Sequence, residues 1–213
     1  MAKIKIVPPK NSVKETVQDF KRYISNNDDT YFYDLSFSDE NITSKYEALE
    51  FNGCKFENRS FGGSKFTRVH FVDCEFVHCD FSNVEFDDTG FHRNEFDNSK
   101  FMGTQFIKVK LNNVLFRNCM GRYTNFAVTD FAHVQMNDSV FQESSFNQSK
   151  LTSLGLENVD LSRLEVVNTP LKGVDFSNAD IDGLHANYQN LQGMMCNEYQ
   201  AMMIAGLLGI KVV

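Results

Sequence analysis

Residues 71–101 read FVDCEFVHCDFSNVEFDDTGFHRNEFDNSKF, and the spacing of phenylalanine in that stretch decides the fold. Phe71, Phe76, Phe81, Phe86, Phe91, Phe96 and Phe101 stand five residues apart. Stepping by five carries the series back to Phe51 and on through Phe106, Leu111, Phe116, Gly121, Phe126, Phe131, Met136, Phe141, Phe146, Leu151, Leu156, Leu161, Val166, Leu171 and Phe176 to Ile181. Of these 27 positions 18 are Phe, and only Gly121 lacks a sizeable apolar side chain. A second register lies two residues earlier, from 49 to 179. It holds Cys, Ser, Thr, Val or Ala at 22 of 27 positions, the exceptions being Leu49, Arg59, Asn94, Leu154 and Leu164. The remaining positions are mostly polar.

A helix would scatter a five-residue repeat around its axis, because 3.6 does not divide five. A strand alternates every two residues, so an inward pair at i−2 and i works within one unit. The next unit must then turn a corner. Short extended pieces meeting at corners make a solenoid whose coils pair along its axis. The expected fold is therefore an all-β solenoid, each unit turning one large and one small side chain inward.

The rest of the composition mainly excludes. The 213 residues suffice for one good core or two small ones. Twenty-one basic residues against 28 acidic leave a net charge of −7, which argues against a nucleic-acid binder held by phosphate neutralisation. Five cysteines without C-x-x-C spacing indicate neither a disulfide framework nor a zinc finger. The apolar run at the start is too short for a signal peptide and no stretch of 18 apolar residues occurs, so a cytoplasmic protein without membrane contact is expected.

Units such as Cys79-Asp80-Phe81-Ser82-Asn83, Val174-Asp175-Phe176-Ser177-Asn178 and Ala179-Asp180-Ile181-Asp182-Gly183 follow the pattern small–polar–Leu/Phe–polar–polar. From about residue 47 to 193 the chain resembles the pentapeptide-repeat proteins. That resemblance implies a right-handed quadrilateral β-helix with four units, or 20 residues, per coil. The 27 units then make about 6.75 coils, and at about 4.8 Å per coil a rod about 33 Å long. The ends narrow the likeness. Lys3-Ile4-Lys5-Ile6-Val7-Pro8-Pro9, the run from Asn168 to Ser177, and Tyr188 with the tail Gln200 to Ile210 are similar to the chromosomal quinolone-resistance (Qnr-type) proteins of Gram-positive bacteria. This implies a homodimer joined at its C-termini that mimics duplex DNA and binds DNA gyrase and topoisomerase IV. Some members carry projecting loops that matter for protecting gyrase. Here the register runs from 51 to 181 without an insertion, so any such contact must use the faces and the tail.

Three segments are expected: an N-terminal arm and capping helix (1–30), the repeat β-helix (31–193) and a C-terminal helix and strand (194–213). A solenoid end exposes unpaired backbone and core side chains and needs a cap. Asn11 to Tyr23 is expected as a helical lid, N-capped by Ser12 with Glu15 three residues on and Val13, Val17 and Phe20 along one face. Tyr31 to Tyr46 reads as an irregular first coil, with Leu35, Ile42 and Tyr46 inward. At the other end Asn197 and Gln200 signal a capping box and Gly209 a helix stop. Ala201 to Leu208 are eight apolar residues in a row. A helix apolar on all sides must be buried on all sides. One side can cover the last coil, which leaves the other for a second copy. Met202, Met203, Ile204, Leu207 and Leu208 are the expected dimer contacts, and Ile210 to Val213 a short strand.

With 20 residues per coil the outward side chains sort into four faces. Around the column Phe56, Phe76, Phe96, Phe116, Met136, Leu156 and Phe176 stand Glu57, Glu75, Glu95, Asp97, Asp138, Glu157 and Asp175, opposed by Lys55 and Arg117. That face carries −5, against −2, −1 and +1 on the others. One carboxylate per about 5 Å is a diluted imitation of a DNA strand, with its phosphate every ~3.4 Å. An acidic face also serves plain solubility.

Cys54, Cys74, Cys79 and Cys119 occupy the small inward register and read as packing residues, so no metal or cofactor is expected. His70, His78, His92 and His133 scatter outward, Asp87 and Asp88 lie at a corner, and no catalytic grouping converges; an enzyme is not expected. Gly121 leaves a Phe-sized void between Phe101 and Phe141 unless Met120 or Tyr123 turns in, and a bulge or kink is expected there. Two functions stand. One is a non-enzymatic DNA mimic that binds gyrase or topoisomerase IV through the acidic face and protects them from quinolones, without itself touching nucleic acid. The other is a scaffold or adaptor for a different protein. Mimicry requires salt-sensitive binding; a scaffold requires an exposed apolar or aromatic patch.

Overall fold

A computed structural model describes residues 4–26, 30–38 and 43–211. In three of the four columns a five-residue unit is a short extended piece centred on its large residue. In the column of Phe61, Phe81 and Phe101 it is a turn, closed by Ser64 N to Phe61 O (2.9 Å) and Val84 N to Phe81 O (3.0 Å). A corner falls two residues after each large residue. At the corners the backbone enters the left-handed region, as at Asn58 (φ +52°), Asn83 (φ +56°), Asn98 (φ +50°) and Asn113 (φ +55°). Asn and Asp tolerate that conformation better than other residues with a Cβ, which is why they crowd these outward positions.

Four corners return the chain to the same face after 20 residues. Phe66 pairs with Phe86, Phe86 with Phe106 and Phe106 with Phe126, all in parallel register. The pairings build one 13-stranded and one 8-stranded sheet, a parallel β-solenoid of about eight coils. Within a column the rings stack: Phe56–Phe76 at 5.0 Å, Phe76–Phe96 at 4.6 Å and Phe96–Phe116 at 5.0 Å. Between columns they meet edge to face, as Phe71 does Phe76 at 77°. Both geometries suit the ring quadrupole, so the aromatic core is held by directional contacts as well as burial.

The small register does more than fill space. Thr104 Oγ1 donates to the Phe81 carbonyl at 2.8 Å, Thr124 Oγ1 to Phe101 at 2.9 Å and Ser149 Oγ to Phe126 at 2.9 Å. The thiols of Cys74, Cys79 and Cys119 do the same toward Phe51, Phe56 and Phe96. Small size is the common demand, met also by Val and Ala; Ser, Thr and Cys add a hydrogen bond to a backbone carbonyl. Asn94, an exception by size, makes that bond too: its Nδ2 donates to the Phe71 carbonyl at 2.8 Å while its Oδ1 accepts from Cys74 N at 2.9 Å. Burial pushes the Cys79 and Cys119 thiols up to about 12, so they stay protonated and donate.

The ladder passes Gly121 without the expected bulge. Gly121 N donates to Val140 O at 2.6 Å and Phe101 N to Met120 O at 2.7 Å. Met120 and Tyr123 stay exposed. Phe141 fills the void instead. Its ring lies 6.4 Å from that of Phe101, two coils away, and a Cβ at position 121 would sit 2.3 Å from Phe141 Cε1.

The N-terminal cap differs from expectation. Glu15–Val17 is a strand paired with Leu35–Phe37, and helix α1 spans Phe20–Asn26. Asp19 rather than Ser12 caps it, accepting Arg22 N at 2.8 Å. Val17 serves as the last rung of the column that runs through Phe37, Phe56 and Phe76, the second face of the solenoid, where Thr16 and Val17 suit extended backbone. Val13 is exposed. Phe20 is fully buried against Phe37 (4.8 Å), Phe51 (5.9 Å) and Phe61 (6.0 Å), so α1 still closes the end. Arg59, the charged exception in the small register, is 1% exposed and places its guanidinium 5.2 Å from the Phe20 ring centroid.

Leu35 and Tyr46 point inward; Ile42 lies outside the described residues. Phe32 and Phe37 also join the core, paired with Phe51 and Phe56. Their spacing is 19 rather than 20, which hides them from a period-five count.

Upstream of the first strand, residues 4–14 run extended along the rod, back across its coils. Ile4 lies against Gly155, Val7 N donates to Asn113 Oδ1 at 3.0 Å, Lys10 N to Asp73 Oδ1 at 2.9 Å and Lys14 N to Asp34 O at 2.7 Å. Near the other end the second face opens. Strand pairing of Leu154–Asp160 with the next coil is confined, among the described residues, to Val159–Ala179 and Asp160–Asp180. A cavity of about 490 Å³ lies there, with Leu154, Glu157, Lys172, Asp175 and Ile4 in its wall.

The C-terminal cap follows the sequence closely. A short helix, α2 (Tyr188–Leu191), is N-capped by Asn187. Helix α3 (Glu198–Leu207) carries both halves of the capping box, Gln200 N to Asn197 Oδ1 and Asn197 N to Gln200 Oε1, each at 2.9 Å. Gly209 follows at φ +77°. Gln200 Nε2 also donates to the carbonyls of Phe176 (2.9 Å) and Ala179 (2.7 Å), pinning α3 to the last coil. Ile210 and Lys211 form no strand, and Val212 and Val213 lie outside the described residues.

Candidate partner-binding face

The second face, around Phe56 to Phe176, holds the acids singled out by the sequence. They divide into two groups. Glu75 and Glu95 are register partners on adjacent coils, and Asp97 is Glu95's neighbour on the same side of the strand. Arg117 reaches this group from the next coil, paired with Glu95 and at 3.3 Å from Asp97 Oδ1. Glu57 lies nearer the N-terminal end, with Lys55 Nζ at 3.3 Å.

The second group is Glu157 and Asp175 at the cavity, with Asp138 on a corner (φ +48°) accepting Asn158 Nδ2 at 2.8 Å. Leu115, Gln135 and Gly155 separate the groups along one row, Arg117 and Asn137 along the other. The stripe is thus interrupted, and the counter-charges that the sequence only subtracted make direct contacts.

Burial raises the Glu95 carboxyl above its ordinary range; Arg117 opposes this, while Glu75 and Asp97 add to it. Asp97 moves the other way. Burial alone would raise it, but hydrogen bonds from Arg117 and Asn118 hold it low. The Ser177 hydroxyl and N–H lower Asp175. The Glu75–Glu95–Asp97 group therefore combines a half-buried carboxyl that resists ionising with one that ionises readily, an arrangement responsive to an approaching cation.

On α3 the five expected dimer residues separate. Met202, Leu207 and Leu208 are exposed, whereas Met203 packs against the core and Ile204 is half-buried. Tyr199 and Ile210 join the exposed set. Neither was singled out in the sequence, Tyr199 because it precedes the apolar run and Ile210 because it follows the helix stop.

Two exposed aromatic features lay beyond sequence reasoning, since outward positions show no apolar period. Tyr31 and Tyr33 stack at 6.5 Å near the first coil. Tyr123 and Met120 are both exposed at mid-rod, and the Arg122 guanidinium lies 4.7 Å from the Tyr123 ring centroid. Among the described residues no three His, Cys, Asp or Glu side chains gather as metal ligands, and no helix is long and apolar enough to cross a membrane.

A filled rod with a phenylalanine core and varied outer faces defines a β-solenoid that meets other molecules along its sides and ends. Residues 69–144 match the family described as Pentapeptide repeat region, and the parallel β-solenoid matches a pentapeptide-repeat β-helix. No curated protein matches the sequence. Similar solved structures include a trypsin-treated form of QnrB1, a plasmid-mediated fluoroquinolone resistance protein, with 17% identity over 84% of this chain and 99% of that one at a TM-score of 0.37. Another is HetL, involved in heterocyst differentiation regulation in the cyanobacterium Nostoc sp. strain PCC 7120, with 10% identity over 84% and 95% of the two chains at a TM-score of 0.34.

Proposed function

We propose that this protein is a non-enzymatic, cytoplasmic DNA mimic. Its second face enters the basic DNA-gripping groove of a type II topoisomerase, DNA gyrase or topoisomerase IV, and limits trapping of the cleaved-DNA complex by quinolones. The observation that carries this reading is the cluster of Glu75 and Glu95, register partners on adjacent coils about 4.8 Å apart, with Asp97 two residues along the strand from Glu95. A cluster of carboxylates fixed on a regular backbone steers a cationic groove over long range. The Qnr-like sequence at both ends supports the same partner. Glu57, Asp138, Glu157 and Asp175 extend the field, and α3 joins two copies through Met202, Leu207 and Leu208, supported by Met203 and Ile204.

The test is gyrase supercoiling with a fluoroquinolone present, titrating in this protein at low and moderate salt. Supercoiling should recover, and recovery should vanish when Glu75, Glu95 and Asp97 are all changed to Lys. No recovery at any protein excess sinks the reading. The second reading, a scaffold or adaptor for a different protein, draws support from the exposed Tyr31–Tyr33 and Met120–Tyr123 features.

A further inference from the structure

We infer that the N-terminal arm, residues 4–14, is a displaceable cationic strap that partly neutralises the acidic second face until a basic partner takes its place. The inference rests on reading that face as the partner site. The arm carries Lys5, Lys10 and Lys14 and no Asp or Glu, and it runs beside a face whose net charge is −5. Its contacts trace the corner between the column of Phe71, Phe91 and Leu111 and the second face: Asp73 and Asn113 stand two residues after Phe71 and Leu111, next to the row that holds Glu75 and Glu95.

The two ends of the arm are held differently. At Lys14 it is built into the fold, through Lys14 N to Asp34 O and Lys14 Nζ to Asp34 Oδ2, followed at once by the paired strand Glu15–Val17. From Ile4 to Val13 it joins no strand. Among the described residues, hydrogen bonds to side chains at Asn113 and Asp73, the packing of Ile4 on Gly155 and the half-burial of Ile6 and Pro9 hold it. Pro8 and Pro9 lie between the two latches and keep the segment extended and stiff, so it departs as a unit hinged near Lys14. Ile4 also forms part of the wall of the cavity that Glu157 and Asp175 line. Release therefore removes positive charge and uncovers that cavity together.

The test uses the full chain and two variants. Lys5→Gln with Lys10→Gln removes charge but leaves the latches. Asn113→Gly removes the acceptor for Val7 N, and glycine keeps the left-handed corner at φ +55°. Affinity for a decalysine peptide is measured at low and high salt, and hydrogen exchange of the Val7 and Lys10 amides is followed with and without the peptide. Both variants should bind decalysine about three- to tenfold more tightly than the parent at low salt, the gap closing at high salt. Val7 and Lys10 should lose protection when the peptide binds. Equal affinities at low salt, or arm amides still protected in the saturated complex, overturn the strap. Gyrase is titrated in parallel. Gain with decalysine but no gyrase binding by any form keeps the strap and removes the topoisomerase reading.

Discussion

Gly121 shows how a single missing side chain is absorbed. The sequence locates the void because the period is strict, but it cannot say who fills it, since Phe141's tilt depends on space two coils deep. Gly121→Ala should destabilise the protein by about 1–3 kcal/mol, because the new methyl meets an aromatic ring that has nowhere to retreat. Chemical denaturation measures this, and pairing it with Phe141→Leu should return part of the loss. Asp73 offers a pH test. Burial alone would raise its carboxyl, but the Arg93 guanidinium (2.6 Å from Nε) and Lys10 N–H hold it below the ordinary range. A carboxyl depressed by folding stabilises above its unfolded pKa, near about 4, and that contribution fades as pH falls through the lower folded value. The parent should therefore lose more stability than Asp73→Asn between about pH 5 and 3. Glu95, raised by burial, works in the opposite sense.

At the scale of elements, legibility followed the repeat. The strands from Glu50 onward were readable because the repeat carries each into the next coil 20 residues on, as Glu50–Asn52 into His70–Val72. The first coil was readable only in part, for a one-residue shortening moves Phe32 and Phe37 out of count. The arm was illegible: its two acceptors, Asn113 and Asp73, look like any other corner residue in the sequence. Helix α3 was found from its capping box, yet the anchoring role of Gln200 was not, because one side chain does both. Gln200→Ala should cost about 2 kcal/mol through two carbonyls left without their donor. It should loosen α3 while leaving the coils intact, which hydrogen exchange resolved by segment would register as early deprotection of Glu198–Leu207 alone.

For the whole molecule, the acidic second face was legible as a sum of charges but not as two groups split by Arg117 and Asn137. Side-chain pairing lies outside what spacing can carry. Association is the clearest expectation at this scale. Leu207→Glu places a charge on the exposed side of α3 and, for the dimer proposed above, should halve the mass seen by sedimentation without altering the circular dichroism of the rod.

The 20-residue return also has a mechanical consequence. In the strand ladder each coil pairs only with the coils beside it, so a rod pulled by its C-terminus with a single-molecule tether should not yield all at once. It should peel turn by turn from α3 inward, each rupture paying out one coil of chain, about 70 Å of contour length. The force trace becomes a sawtooth whose teeth count the coils.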